Sequence, residues 1–330
     1  MPPPYISMDC YKDMDSWIKD NDVIVSTIPK GGTTWMLYLS HLIRIKGDDE
    51  TIPWHDINTN TPWPSFIHYP GQSWKEIKEL LNSTILHDDT KLKDKWDHPS
   101  YLFRVWKAHE MPVDELGKNC KSSVLPLKSN KKVKFVAMYR DLPDILASFY
   151  PFVNNHTKEF KRLWGGMPPT FNSVKEMLNF LFKPHLGSAL GYDLLLYLKV
   201  WWKYKQEPNV LLLHYNDAIT NLEDVTRKLA KFYEVDLTDD EIKKIADKSS
   251  FQKMKHINDK FSYRVWGATH VLNGTLTAVQ VGHQIRKGIS GDSKVFFSKE
   301  ELEYINNIVN DYFKDDPDML YWSKNGGAYR

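Results

Sequence analysis

The stretch Val23-Ile24-Val25-Ser26-Thr27-Ile28-Pro29-Lys30-Gly31-Gly32-Thr33-Thr34-Trp35 decides the reading of the chain. Its first six residues are mostly β-branched and apolar, as in a strand buried on both faces. Pro29, Lys30 and two glycines then break the strand, and the apolar run from Met36 to Leu39 predicts a helix opening near Thr33. Glycines let backbone N–H groups turn toward a common point. A helix N-terminus adds unpaired amides and a positive dipole end. Together they form an anion cradle, to which Lys30 adds a full charge and Thr33 and Thr34 add hydroxyls. The order differs from the Walker pattern, in which lysine follows the last glycine. An ordinary glycine-rich turn looks similar, so further signals are needed.

Outward from this stretch the pattern repeats. Strands are predicted at 23–28, 102–106, 135–139 and 210–214, with helical patterns between and after them. Leu222, Val225, Leu229 and Phe232 make one helix face. Thr238 with Glu241 and Ser298 with Glu301 read as capping boxes. The second opens a helix whose buried stripe is Leu302, Ile305, Ile308 and Tyr312. Such alternation predicts an α/β fold, a P-loop-like central parallel β-sheet flanked by helices on both faces, in a single domain over 1–330. Residues 52–74 interrupt the rhythm with Trp54, Trp63, Phe66, Tyr69 and Trp74 among four prolines, which reads as an ordered aromatic loop.

The chain has 330 residues, 42% hydrophobic and 13% aromatic, enough for a sizeable core. A net charge of +2 argues against a nucleic-acid partner, and the lysines at 128, 131, 132 and 134 read as a solvated loop. Two cysteines, Cys10 and Cys120, suit a reducing compartment. The start, Met1-Pro2-Pro3-Pro4, is not expected to be a signal peptide, and no apolar run reaches membrane-spanning length. The glycosylation triplets at Asn82, Asn155 and Asn273 then read as chance, and the expectation is a cytoplasmic protein.

Residues 29–35 resemble the PKSGTTW loop of the cytosolic sulfotransferases, and further segments follow in the family's order. Lys107-Ala108-His109-Glu110-Met111-Pro112 resembles KTHLP, which carries the family's catalytic histidine. Arg140 and Ser148 are similar to the pair that holds the donor's 3′-phosphate. Tyr215 is similar to the tyrosine of YED, Ser249-Ser250-Phe251 to SSF near the adenine, and Arg286-Lys287-Gly288 to RKG over the 3′-phosphate. The resemblance implies a sulfotransferase using 3′-phosphoadenosine 5′-phosphosulfate (PAPS), releasing the bisphosphate PAP, with no metal, and acting on the hydroxyl or amine of a small-molecule acceptor. His109 is the implied base, with Lys30 and Lys107 acting on developing charge. Lys30, Gly31, Gly32, Thr33, Thr34, Trp35, Arg140, Ser148, Tyr215, Ser249, Phe251, Arg286, Lys287 and Gly288 are the implied donor site. Trp35 and Phe251 suit an adenine sandwich, and Ser148 is expected to hold Lys30 back before the acceptor binds. The alternatives are a P-loop-type nucleotide kinase and a non-catalytic nucleotide-binding relative.

The match has gaps. Ile28 stands where the family usually has Tyr, and Gly31 where it has Ser. Glu110 adds a carboxylate beside His109, and if close it should raise the imidazole's pKa. Lys294 and Glu303 remain of the family's dimer pattern, but Ser298-Lys299 replaces Thr-Val, so a monomer or weak homodimer is expected. Aromatic segments near 52–100 and 255–285, with Phe261, Tyr263, Trp266 and His270, are expected on the acceptor side. They suit a phenol or sterol, while Asp56, His68, Asp88 and Asp89 suit a polar or cationic acceptor.

Overall fold

A computed structural model describes residues 4–86, 88–183, 190–265, 276–280 and 284–328. Four parallel strands form the central sheet: β1 (Val23–Thr27), β2 (Val105–Ala108), β3 (Lys134–Tyr139) and β4 (Val210–His214). Their order is β2-β1-β3-β4, with Val23 opposite Val105, Ile24 opposite Phe135, and Phe135 opposite Val210. β1 therefore has partners on both sides, and the chain leaves it in one direction and returns on the other. That is a switch point, and its crevice lies at the carboxyl ends of the strands.

Strand periodicity divides the core into two faces. Ile24, Phe135, Ala137, Tyr139 and Leu212 pack on one side, with Leu146, Leu198, Trp201 and Ile305 from helices. Val23, Val25, Val136, Met138 and Leu213 pack on the other, with Leu37, Leu42, Val225, Leu229 and Ile245. Each such side chain contributes about 1.5–3 kcal/mol when fully buried. Helix α1 (Thr33–Arg44) covers the second face, and α2 (Leu142–Asn154) covers the first. Both capping boxes form as expected, at Thr238 with Glu241 and at Ser298 with Glu301.

β2 begins three residues later than its apolar run suggests. Leu102 is half exposed, and the strand instead takes in Lys107, a buried lysine that breaks the apolar pattern. Trp266, His270 and Asn273 lie outside the described residues.

One buried ion pair fixes the entry of β1 and β2. Arg104 Nε donates to Asp22 Oδ1 at 2.8 Å, and its Nη2 bonds Asp22 Oδ2 and the Trp17 carbonyl. Trp106 Nε1 donates to the same carboxylate at 2.9 Å. Both partners are almost fully buried. Asp22→Ala is therefore expected to cost about 3–5 kcal/mol in urea unfolding, because it leaves the buried Arg104 charge with only the Trp17 carbonyl and the more distant Asp97; a loss below about 1 kcal/mol would show that the pair does not hold the sheet.

Candidate active site

The turn after β1 is built for an anion. Lys30 sits at φ 65° and Gly32 at φ 111°. A Cβ at Gly32 would stand 2.7 Å from Met138 Sδ and 3.1 Å from the Tyr215 ring, so space and dihedral both demand glycine. Gly32 caps α1 without any side-chain hydrogen bond, and the first intrahelical bond runs from the Met36 N–H to the Gly32 carbonyl. The amides of Thr33, Thr34 and Trp35 are left without intrahelical acceptors. The Thr33 hydroxyl shares a hydrogen bond with that of Thr27. The two departures from the resembling family's loop meet here: a Cβ at Gly31 would lie 2.2 Å from Ile28 Cγ2.

A cavity of about 600 Å³ opens on this turn. Every expected site residue except Gly31 lines it. The Arg140 guanidinium stacks 4.3 Å from the Tyr215 ring centroid and donates to the Ile289 carbonyl at 2.7 Å and to Asp144 at 3.3 Å. Arg286 and Lys287 both bond Asp292. The Nε atoms of Arg140 and Arg286 are buried without a hydrogen-bond partner among the described residues, as is Trp35 Nε1. Gly288, at φ 63°, presses its backbone on Phe251, where a Cβ would come within 2.0 Å of the ring. The Ser249 hydroxyl donates back to the Ile245 carbonyl at 2.8 Å. Its neighbour Ser250 also lines the cavity, and its side chain makes no capping bond.

Lys30 and Lys107 face aromatic rings instead of carboxylates. Lys30 Nζ lies 4.2 Å from the Phe152 centroid, so the structure does not place it on Ser148 as expected. Lys107 Nζ lies 4.0 Å from Trp63 and 4.3 Å from Tyr263. Burial, with Arg140 and Arg286 nearby, brings the Lys30 pKa down to about 7. Burial also brings Lys107 down to about 7, with Glu110 opposing and Lys30 adding to the fall.

His109 Nδ1–H donates to the Thr27 carbonyl at 2.7 Å, which leaves the Nε2 lone pair as the ring's acceptor. The ring stands edge-on to Trp63 at 4.9 Å. Burial and the Lys107 charge lower the His109 pKa to about 3, so the ring is neutral at pH 7. This corrects the expectation that Glu110 would raise it. The Glu110 carboxylate turns away from the ring and accepts from Tyr11 Oη and Ser65 Oγ, each at 2.8 Å, and from the His109 peptide N–H at 2.7 Å. Burial raises the Glu110 pKa against these bonds.

The remaining lining is mostly apolar and includes the rings of Trp63, Phe66, Phe152, Phe160, Phe171 and Tyr263. Phe152 and His156 were not among the expected residues. They follow Ser148 at i+4 and i+8, a helical spacing that was available in the sequence. Among the described residues no group of three His, Cys, Asp or Glu side chains is placed to hold a metal ion, and no helix is long and apolar enough to cross a membrane.

A family model for the sulfotransferase domain matches residues 20–317. The chain is 25% identical over 329 residues to the amine sulfotransferase of Oryctolagus cuniculus, covering 98% of this chain and 91% of the relative. It is 27% identical over 290 residues to sulfotransferase 1B1 of Canis lupus familiaris, covering 88% and 82%. Among solved structures, a mouse sulfotransferase complexed with PAP superposes with a TM-score of 0.59 at 18% identity, over 96% of this chain and 94% of that one. A retinol dehydratase in a complex with retinol and PAP gives 0.63 at 18% identity, over 94% and 86%. These two share the fold.

The depressed lysines give anion binding a pH dependence. A bound anion favours the charged lysine, so binding above pH 7 takes up a proton. Sulfate, which does not titrate between pH 5.5 and 9, is the clean probe. Followed by tryptophan fluorescence, its affinity is expected to be flat below pH 7 and to fall above it by about tenfold per unit for each lysine that the anion charges. Lys30→Met should lower that slope by about tenfold per unit. A wild-type affinity independent of pH would refute the role given to these lysines.

Proposed function

The chain belongs to the sulfotransferase family, and on that premise we propose that it transfers the sulfuryl group of PAPS to the hydroxyl of a small, largely apolar acceptor. One observation carries this reading: a single cavity holds both an uncapped anion cradle, with arginine nitrogens that have no hydrogen-bond partner among the described residues, and a neutral imidazole whose Nε2 is left to accept.

The residues present fit the donor. Arg140, Ser148, Arg286, Lys287 and Gly288 would hold its 3′-phosphate, the arginines through nitrogens that lack partners among the described residues. Trp35 and Phe251 would flank the adenine, with Tyr215 and Ser249 beside it. The amides of residues 32–35 and Lys30 would hold the 5′ end. The donor supplies an activated sulfuryl group on a phosphate leaving group. His109 Nε2 takes the proton of the acceptor hydroxyl. Lys30 meets the charge growing on the leaving oxygen, and Lys107 the charge on the moving group.

The acceptor side favours a flat phenol or sterol over a cation. Asp56 caps the helix Ile57–Asn60, and Asp88 bonds Thr90 and Lys95. Neither Asp56, His68, Asp88 nor Asp89 is in the cavity lining, although Asp193 is. We read the chain as one domain, active in the cytoplasm, and as a monomer or weak homodimer, since Ser298 is engaged in capping its own helix.

His109→Ala should lower turnover roughly 10²–10⁴-fold while PAP affinity, measured by calorimetry, is retained. Near-normal turnover would remove His109 from the reaction. Lys30→Met should slow single turnover by about 2.7–4 kcal/mol of barrier with a smaller loss in donor binding. The reverse split would make Lys30 an anchor and not a stabiliser of the transition state.

A further inference from the structure

Glu110 is the residue of the KAHEMP segment that neither the anion cradle nor proton transfer uses. Its carboxylate is almost fully buried and accepts three hydrogen bonds from three separate parts of the chain. Tyr11 belongs to the N-terminal helix Asp9–Lys12, Ser65 to the aromatic loop, and the His109 N–H to the turn after β2. The joined parts also touch one another. The Ser7 N–H donates to the Ser65 carbonyl at 2.8 Å and the Ile67 N–H to the Tyr5 carbonyl at 2.9 Å. Trp63, two residues before Ser65, stands against both His109 and Lys107. Moreover, the Glu110 carbonyl accepts from Ser26 Oγ, which ties the same residue to β1.

We propose that Glu110 is a positioning residue: its carboxylate pins the aromatic acceptor wall and the N-terminal segment to the turn that bears His109, so that Trp63, Lys107 and His109 Nε2 face the acceptor in one fixed arrangement. It rests on the transferase reading above. The Lys107 N–H donates to the Pro62 carbonyl at 2.9 Å and fixes one end of the 62–66 segment to β2, but the rings beyond it contact one another over a range of offsets. Three directed bonds to one buried carboxyl group remove that freedom. A reacting hydroxyl must sit within about 3–3.5 Å of its target, and a displacement of about 1 Å can cost 10²-fold.

Two substitutions separate the pin from the charge. In Glu110→Gln the amide oxygen can still accept from Tyr11 and the His109 N–H, while the Ser65 hydroxyl turns to accept from the amide nitrogen. Glu110→Leu leaves all three donors without an acceptor. With PAPS as donor and 2-naphthol as acceptor probe, Glu110→Leu is expected to lower kcat about 10–100-fold with PAP affinity within about twofold of wild type, and Glu110→Gln to keep most of kcat. Amide hydrogen exchange on the PAP complex needs no acceptor. It should rise about tenfold or more in peptides covering 62–68 and 105–112 for Glu110→Leu, and stay unchanged at 140–148. Should Glu110→Leu fail to fold, Tyr11→Phe and Ser65→Ala each remove one donor and should show smaller losses of the same kind. The proposal falls if Glu110→Leu keeps wild-type kcat and exchange, if Glu110→Gln loses as much as Glu110→Leu, or if exchange rises evenly along the chain. A wild-type chain that turns over no acceptor would refute the transferase reading, and the exchange result would still decide the role of Glu110.

Discussion

Five cations, Lys30, Lys107, Arg140, Arg286 and Lys287, line one cavity at the carboxyl edge of the sheet, and their mutual repulsion is the constraint that the rest of the site answers. At 4 Å and an effective dielectric of 20, a like-charge pair costs about 4 kcal/mol. The fold treats them in two ways. The arginines and Lys287 receive carboxylates and carbonyls, through Asp144, Asp292 and Ile289. Lys30 and Lys107 receive ring faces, through Phe152, Trp63 and Tyr263. Arginine keeps its charge in proteins whatever its surroundings, whereas lysine gives its proton up when buried. Arg140 and Arg286 are therefore permanent positive charges, and Lys30 and Lys107 respond to what is bound.

That arrangement needs a stiff support. The two apolar layers of the sheet provide it, and β1 sits between β2 and β3, so that the Lys30 turn, His109 and Arg140 follow three neighbouring strands. The neutral state of His109 has the same origin. The Thr27 carbonyl at the end of β1 fixes its tautomer, and burial, with the Lys107 charge on β2 adding to it, keeps a proton off the ring.

Much of this was legible because the relevant residues are local. The glycine turn, both capping boxes and three of the four strands are written in short windows, and the segments resembling the family's motifs converge on one cavity. What was not legible depended on side-chain direction. Lys107 broke an apolar run and hid the true span of β2, because nothing in a linear reading shows that two rings will cover its charge. Glu110 lies next to His109 in sequence, and adjacency suggested an electrostatic pair. A carboxylate follows its hydrogen-bond donors, however, and two of its three lie 45 and 99 residues away, at Ser65 and Tyr11, while the third is the His109 peptide N–H and not the ring. The Ser249 hydroxyl likewise turned to its own helix end.

The contact between Ile28 and Gly31 bears on how such a loop can change over generations. With Ile28 Cγ2 only 2.2 Å from where a Cβ at 31 would stand, any side chain at 31 meets the branch of the residue at 28. An unbranched residue at 28, such as the Tyr common in the resembling loops, has no Cγ2 there. The branch at position 28 thus opposes a side chain at position 31, while the Ile28 carbonyl, 3.0 Å from the same point, stays close whatever residue stands at 28. The two sites are coupled, and the step with the least steric conflict between one pair and the other passes through glycine at 31.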